Sequence, residues 1–266
     1  MLKKSYGQHF LHDKNIIAKI VASVCPSADE MIIEVGPGAG ALTAGLADIV
    51  ETSPAGRLLL IESDRDLIPS LHERFPLASI VQADAAQTDY DEITQGRSWI
   101  FVSNLPYNAG NAILEKVFTS KNPPRELVVM VQKEVGERMM AKPGDMSVLS
   151  VATQLYANVE RLFIVKPGAF IPPPKVDSMM LRMVMKGVEG RVLGVGGKDD
   201  REAIIALAKI AFAHRRKQLR QTLAQAKIAD LAAIDSALES LGYPKTVRPQ
   251  EISTEHWVRL FNILKG

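Results

Sequence analysis

The sequence lacks the features of membrane and secreted proteins. No apolar run approaches the roughly 20 residues that a membrane-spanning helix needs. The first eleven residues, MLKKSYGQHFL, contain no apolar core of a signal peptide. We therefore expect a cytoplasmic protein that has no membrane partner.

Cysteine and metal-ligand clusters are also scarce. The single cysteine, Cys25, excludes an internal disulfide bond. His9 and His12 are three residues apart, but no third histidine or cysteine follows at ligand spacing. The sequence therefore predicts no metal site.

Apolar, β-rich runs alternate with helical patterns through the first two-thirds of the chain. This alternation is typical of a parallel sheet that is covered on both faces. Two further β-like runs, 161–166 and 178–185, have only the proline-rich residues 167–174 between them, which predicts an antiparallel pair at one sheet edge. We therefore predict an α/β fold with a seven-stranded, mostly parallel sheet. Its first five strands are residues 31–35, 57–62, 79–82, 99–103 and 127–132, and its helices include 42–50, 66–75 and 112–119.

A glycine-rich stretch separates this region from the C-terminal part. Residues 187–200 contain five glycines and no core pattern, and the residues after them look entirely helical. We predict an α/β domain over residues 1–186, a linker over 187–200 and a small all-α domain over 201–266.

The sharpest motif is EVGPGAGALT, which begins at Glu34 after the first predicted strand and opens a helix. Gly36, Gly38 and Gly40 permit a tight turn and a close approach of a ligand to the backbone. NAD-binding folds share this spacing. However, Glu34 and Pro37 suit a cofactor with a cationic amino-acid end better than a pyrophosphate, and no lysine or Ser/Thr follows in the register of a triphosphate-binding loop.

Carboxylates follow the next two predicted strands. Glu62 ends the second strand and can accept hydrogen bonds from both hydroxyls of a ribose. Asp84 follows the third strand and could accept from an adenine amine beside the Ala85 backbone. Either acid alone is equally typical of a solvated strand end. Together with the glycine segment they favour a nucleoside-containing cofactor.

The fourth predicted strand is followed by Asn104, Leu105, Pro106 and Tyr107. The exocyclic amine of adenine is conjugated with its ring and is a poor nucleophile. The Asn104 side-chain oxygen and a main-chain carbonyl, that of Leu105, could draw the lone pair out of the ring. Pro106 restricts the turn, and Tyr107 offers a face on which an extruded base can stack. At this position in the sheet, we predict a catalytic segment rather than an ordinary turn.

Seven segments together resemble the ribosomal RNA adenine dimethyltransferase family. The resemblance runs through nearly the whole chain in order, although residues 141–150 depart from it because they are shorter and lack a Tyr-Gly pair. The segments are GQHFL from Gly7, the glycine motif from Glu34, NLPY from Asn104, QKEV from Gln132, FIPPPKVDS from Phe170, AFAHRRKQLR from Ala211 and RPQEIS from Arg248.

The resemblance implies a Rossmann-like class I methyltransferase domain that uses S-adenosylmethionine, followed by a small helical domain. It implies N6-dimethylation of two adjacent adenosines in a 3′-terminal hairpin loop of 16S rRNA, within an assembling small subunit, by a monomer. The cofactor contacts that it implies are His9, Leu11, Gly36, Glu62, Asp84 and Asn104.

The C-terminal part carries a basic excess. Residues 198–266 have a net charge of +4, whereas the remainder carries −2. Residues 203–229 contain six basic residues and no acidic one, and we predict one helix that docks by an apolar face and presents a basic stripe to RNA phosphates. The apolar face is Ile205, Phe212, Leu219 and Leu223; the stripe is Lys209, Arg216, Arg220 and Lys227, and Arg215 and Lys217 are the remaining predicted RNA-binding residues.

Three other functions fit parts of the pattern. The large-subunit rRNA adenine methyltransferases that confer macrolide resistance share the catalytic segment. A non-catalytic ribosome-assembly or transcription factor could use the same scaffold. An NAD(P) dehydrogenase would share the glycine motif, but no residue set here offers it a substrate acid–base pair.

Overall fold

The computed structural model describes residues 9–52, 56–186 and 198–265. Two parts of the predictions lie outside these residues. They are Gly7 and Gln8 of the first family segment and residues 187–197 of the predicted linker.

Strands and helices alternate through most of the described chain. The strands are β1 (Phe10–Leu11), β2 (Met31–Val35), β3 (Arg57–Glu62), β4 (Ser79–Gln82), β5 (Trp99–Asn104), β6 (Glu126–Gln132), β7 (Ala157–Val165), β8 (Phe170–Ile171) and β9 (Ser178–Met185). The α-helices are α1 (Lys14–Ala22), α2 (Thr43–Glu51), α3 (Ile68–Arg74), α4 (Tyr90–Thr94), α5 (Gly110–Phe118), α6 (Lys133–Met139), α7 (Val148–Tyr156), α8 (Lys198–Phe212), α9 (Leu219–Gln225), α10 (Leu231–Ser240) and α11 (Thr254–Lys265).

Seven strands form one sheet in the order β4-β3-β2-β5-β6-β9-β7. Strands β2 to β6 pair in parallel, and β9 runs antiparallel to β6. The predicted seven-stranded, mostly parallel sheet is therefore confirmed. Because β2 pairs with both β3 and β5, the direction of winding reverses between β2 and β5, and a crevice opens there at the carboxyl ends of the strands.

The central strands owe their position to their apolar sequences. Strands β2, β5 and β6 are buried on both faces, as expected for parallel strands that helices cover on each side. The edge strand β4 is only partly buried. The core thus holds the carboxyl ends of β2, β3 and β5 in fixed register.

The predicted single helix over residues 203–229 is wrong. Helix α8 ends at Phe212 and α9 begins at Leu219, after an extended Gln218. The polar residues 214–217 between them are all exposed, and none supplies an apolar side chain at helical spacing. The buried Leu219 instead donates its backbone N–H to the Val247 carbonyl at 2.8 Å, which sets the start of α9.

The chain divides into two compact units. One comprises residues 1–136 and 160–185, and the other comprises 137–159 and 186–266. In the second unit, α7 packs against α8 and α11, so residues 137–159 group with the C-terminal helices. Helix α8 begins at Lys198, so residues 198–200 of the predicted linker are helical. The boundaries at residues 186 and 201 remain a prediction.

The described residues contain neither a helix that could span a membrane nor a metal-binding cluster. None of their helices combines the length and apolar character needed to cross a bilayer. No three histidine, cysteine, aspartate or glutamate side chains among them lie close enough together to hold a metal ion.

Candidate functional site

A cavity of about 490 Å³ opens in the first unit at the carboxyl ends of β2, β3 and β5. Its position is the one expected for a ligand site in a doubly wound sheet. Twelve of the residues predicted to bind the cofactor or to act in catalysis line it. They are His9, Leu11, Glu34, Gly36, Gly38, Glu62, Asp84, Ala85, Asn104, Leu105, Pro106 and Tyr107.

Gly36 and Gly40 serve different purposes in the glycine segment. Gly36 has φ +69°, and a Cβ built there would meet no atom within 4 Å. Since Gly36 lines the cavity, a side chain would enter the space that a ligand needs. Gly40 is not among the residues that line the cavity, so its predicted contact with the cofactor stays a prediction. Its Cβ would lie 2.6 Å from the Phe75 ring, so Gly40 is required by packing at the end of α3.

The two strand-end acids are held differently. Glu62 is buried and accepts backbone hydrogen bonds from Gly38 (3.1 Å) and Asp64 (2.9 Å). These bonds tie β3 to the glycine segment and leave the carboxylate further acceptor capacity. Asp84 is exposed and accepts from the backbone of Ala86 (2.9 Å). Both side chains can therefore accept hydrogen bonds from a ligand.

Glu34 is a buried carboxylate on the cavity wall. The Thr43 hydroxyl, at the first residue of α2, donates to its Oε2 at 2.7 Å. Burial raises the pKa of Glu34 to about 7; the Thr43 hydrogen bond opposes this rise, and the charge of Glu62 adds to it. A cation beside Glu34 would offset the cost of its charge.

The Asn104 side chain is oriented by one backbone carbonyl. Its Nδ2 donates to the main-chain oxygen of His9 at 3.2 Å. A carbonyl can only accept, so Oδ1 is left as the acceptor of this amide. The backbone N–H of Leu105 donates to the Met130 carbonyl at 3.1 Å. The Pro106 carbonyl accepts from the backbone N–H groups of Ala109 and Gly110, where α5 begins. The turn after β5 is thus fixed at both ends.

Tyr107 and His9 form one wall of the cavity. Their ring centroids are 5.6 Å apart. The Tyr107 hydroxyl is 2.9 Å from the hydroxyl of buried Ser178, and burial raises the pKa of Tyr107. The His9 Nδ1 donates to the Pro172 carbonyl at 2.7 Å, because that oxygen can only accept. The proline-rich segment is thereby joined to the cavity wall.

Sequence reasoning missed two supporting residues. Phe10 lines the cavity, and its ring would be 2.9 Å from a Cβ at Gly38. Ser178 positions Tyr107. Both lie in segments that carry the family resemblance, which was the available signal. The antiparallel pairing of β1 with β8, which brings these segments together, involves two-residue strands that have no detectable periodicity.

The predicted RNA-binding residues all lie in the second unit, but not on one helical stripe. Lys209 is exposed near the end of α8, and Lys227 is exposed after α9. Arg220 is only partly exposed and is ion-paired with Asp235 at 3.0 Å, so its predicted place in a free stripe is wrong. In the turn between the helices, Arg215, Arg216 and Lys217 are exposed, and Arg215 also donates to the Met146 carbonyl.

The sheet order, the open glycine turn and the strand-end acids define the class I methyltransferases, which use S-adenosylmethionine. The residues suit this cofactor: the turn leaves space at Gly36, and Glu34, Glu62 and Asp84 offer acceptors for an ammonium, ribose hydroxyls and an adenine amine. When bound, S-adenosylmethionine supplies a methyl group on a cationic sulfur.

Comparison with known proteins identifies the family. The model of the family "Ribosomal RNA adenine dimethylase" matches residues 1–265. The chain therefore belongs to this family, as its motifs predicted, and is an S-adenosylmethionine-dependent rRNA adenine dimethyltransferase. It is 36% identical to "Ribosomal RNA small subunit methyltransferase A" of Marinobacter nauticus, with 98% of this chain and 91% of that protein covered.

Two solved structures resemble the whole chain. The 23S rRNA methyltransferase ErmE is 25% identical with a TM-score of 0.73, and 97% of this chain and 100% of that chain are covered. A dimethyladenosine transferase from Plasmodium falciparum has a TM-score of 0.78 at 21% identity, covering 95% and 96% of the two chains. Both support the predicted class I methyltransferase fold.

Proposed function

We propose that the protein methylates N6 of two adjacent adenosines in the 3′-terminal hairpin loop of 16S rRNA, giving N6,N6-dimethyladenosine during small-subunit biogenesis. The observation that carries the chemistry is that the Asn104–Tyr107 turn and the glycine segment line one cavity. The choice of 16S rRNA is supported by the small-subunit name of relatives at 36–38% identity.

In the proposed mechanism, Asn104 and Leu105 activate the target amine. The Asn104 Oδ1 and the Leu105 carbonyl accept the two N6 hydrogens, so that the nitrogen lone pair leaves conjugation with the ring. Tyr107 stacks on the extruded base. No strong base is required, because the methyl group comes from a cation and the amine proton can leave afterwards. Catalysis then depends on alignment and preorganised hydrogen bonds.

The remaining cavity residues hold the cofactor in this proposal. Glu62 accepts from the ribose hydroxyls, Asp84 accepts from the adenine amine beside Ala85, and Glu34 faces the ammonium group. His9 and Leu11 of the first family segment, with Gly36 and Gly38, complete the contacts.

We propose the exposed turn between α8 and α9 as the centre of the RNA-binding surface. Arg215, Arg216 and Lys217 are consecutive and exposed, and closely spaced cations of this kind bind phosphates with little dependence on sequence. Lys209 and Lys227 flank the turn in the chain. The enzyme acts as a monomer on an assembling small subunit in the cytoplasm.

The rival substrate is 23S rRNA. The fold does not discriminate between the two, because ErmE shares it over the whole chain. The higher identity to small-subunit enzymes favours 16S rRNA. A non-catalytic assembly factor would have no need of the fixed Asn104 amide, which favours an enzyme.

Mapping of methylated adenosines in both ribosomal subunits tests this proposal. In a strain that lacks the gene, mass spectrometry of rRNA fragments should show two unmodified adjacent adenosines in the 16S hairpin loop. Expression of the wild-type gene in this strain should restore dimethylation of both adenosines, whereas expression of an Asn104→Ala gene should not. Loss of methylation confined to 23S rRNA would contradict the proposal.

A further inference from the structure

Glu34 is held by a residue that does not itself line the cavity. Thr43 is fully buried at the start of α2, behind the cavity wall, and its hydroxyl donates to the Glu34 Oε2 at 2.7 Å. Helix α2 begins without a side-chain cap, so the Thr43 hydroxyl is used in this contact with β2 rather than for capping. One short hydrogen bond therefore connects α2 to an acid on the cavity wall.

The surroundings of Glu34 make this hydrogen bond important. The charged group that acts on Glu34 is Glu62 on β3, which has the same sign. The neighbouring residues of β5, Val102 and Ser103, carry no charge. Without a donor, a buried carboxylate beside another carboxylate would favour its protonated form and would be free to rotate. A hydroxyl donor at 2.7 Å both favours the ionised form and fixes one oxygen.

We propose that Thr43 is a positioning residue for cofactor binding, which favours the ionised form of Glu34 and orients that carboxylate toward the ammonium group of S-adenosylmethionine. The inference rests on the proposed role of Glu34. Thr43 acts through Glu34 and selectively on the amino-acid end of the ligand. The adenosine end is assigned in this proposal to Glu62 and Asp84, and the Thr43 hydroxyl donates to neither of them.

Two ligands distinguish binding of the amino-acid end of the cofactor from binding of its adenosine end. S-adenosylhomocysteine carries the ammonium group, whereas 5′-methylthioadenosine lacks the amino-acid end and keeps the adenosine and the sulfur. Calorimetric titration of the full-length protein with each ligand at pH 7 gives two affinities per variant. Thr43→Val should weaken S-adenosylhomocysteine binding roughly tenfold, the usual effect of a lost hydrogen bond to a charged group. It should change methylthioadenosine binding less than about twofold, and Thr43→Ser should restore wild-type affinity for both ligands.

The pH dependence provides a readout that simple loss of packing would not change. Between pH 6 and 7.5, below the usual range for an α-amino group, wild-type affinity for S-adenosylhomocysteine should rise with pH as Glu34 ionises. Loss of the Thr43 donor raises the pKa of Glu34, so the rise should move to higher pH in Thr43→Val. Methylthioadenosine binding should not depend on pH in this range in either protein.

The Glu34→Gln variant separates the two proposals. If it leaves S-adenosylhomocysteine binding unchanged, the proposed role of Glu34 fails. If it weakens binding but Thr43→Val does not, only the inference about Thr43 fails. Equal weakening of both ligands by Thr43→Val, or failure of Thr43→Ser to restore binding, would overturn the inference by showing that Thr43 acts through packing alone.

Discussion

Single hydrogen bonds at the site decide what each side chain can do. The amide of Asn104 could present either its oxygen or its nitrogen to a ligand. The His9 carbonyl accepts a hydrogen bond from the amide nitrogen, so the amide oxygen remains as an acceptor for a target amine. The orientation of the Asn104 amide depends on His9, which directly precedes β1 and lies beside the end of β5.

Replacement of Asn104 by alanine tests the role of this oxygen. We expect methyl transfer to fall at least roughly a hundredfold, because one of two preorganised acceptors is lost. Cofactor affinity should stay within about tenfold, or about 1.4 kcal/mol. Single-turnover transfer to small-subunit rRNA, with calorimetry of cofactor binding, measures both quantities. Retained turnover would refute the catalytic role of Asn104.

The buried charge of Glu34 should affect stability as well as binding. Its pKa is raised from 4.5 to about 7 in the folded protein. Between these values the Glu34 carboxyl binds more protons in the folded state than in the unfolded state, so its contribution to the free energy of unfolding should fall as the pH rises from about 4.5 to about 7. Glu34→Gln should flatten this part of the profile. Urea unfolding of the ligand-free protein at several pH values measures it, and equal slopes in both proteins would contradict the assignment.

At the scale of elements, the turn between α8 and α9 determines which basic side chains are available to RNA. A continuous helix would have aligned Arg216 with Arg220. In the structure Arg220 is ion-paired with Asp235, while Arg216 and Lys217 are exposed in the turn. Three consecutive exposed cations, Arg215, Arg216 and Lys217, therefore lie together in a short turn.

The double variant Arg216→Ala, Lys217→Ala should weaken RNA binding and reduce its salt dependence. Each lost phosphate contact should lower the slope of log affinity against log salt by roughly 0.7 to 0.9. Arg259→Ala is the matched control, because Arg259 is an exposed arginine of α11 that pairs with Glu255. Filter binding at several salt concentrations measures the slopes. If the double variant keeps the wild-type slope, the turn is not the phosphate-binding surface.

At the scale of the whole molecule, the ligand cavity belongs to the first compact unit, and the basic turn belongs to the second. Residues 137–159 belong to the second unit although they precede β7 in the chain. The chain therefore crosses between the units more than once, and a cut near residue 186 would leave part of the second unit behind. Both cofactor binding and RNA binding should therefore be measured in the intact chain.

Ligand binding should stabilise the protein against heat. A ligand that binds only the folded state at about 100 times its Kd adds about 2.7 kcal/mol, so S-adenosylhomocysteine should raise the melting temperature by several degrees. NAD at the same concentration should leave it unchanged. Differential scanning fluorimetry compares the two. Stabilisation by NAD alone would favour a dehydrogenase.

The sequence by itself determined the sheet and most of the cavity wall. Four predicted strands (31–35, 57–62, 79–82 and 178–185) have the observed bounds, because apolar runs flanked by polar residues have few alternatives. The carboxyl ends of parallel strands meet at one edge, so motifs at those ends were expected to converge. This reasoning needs only local pattern and strand direction.

Only the tertiary structure decided the contacts between distant segments. The pairing of β1 with β8, the start of α9 at Leu219 and the packing of Gly40 against Phe75 each depend on a partner far away in the sequence. The same is true of Arg220, which is ion-paired with Asp235. Helical periodicity and charge patterns describe one segment at a time, so they cannot show which partner a side chain meets.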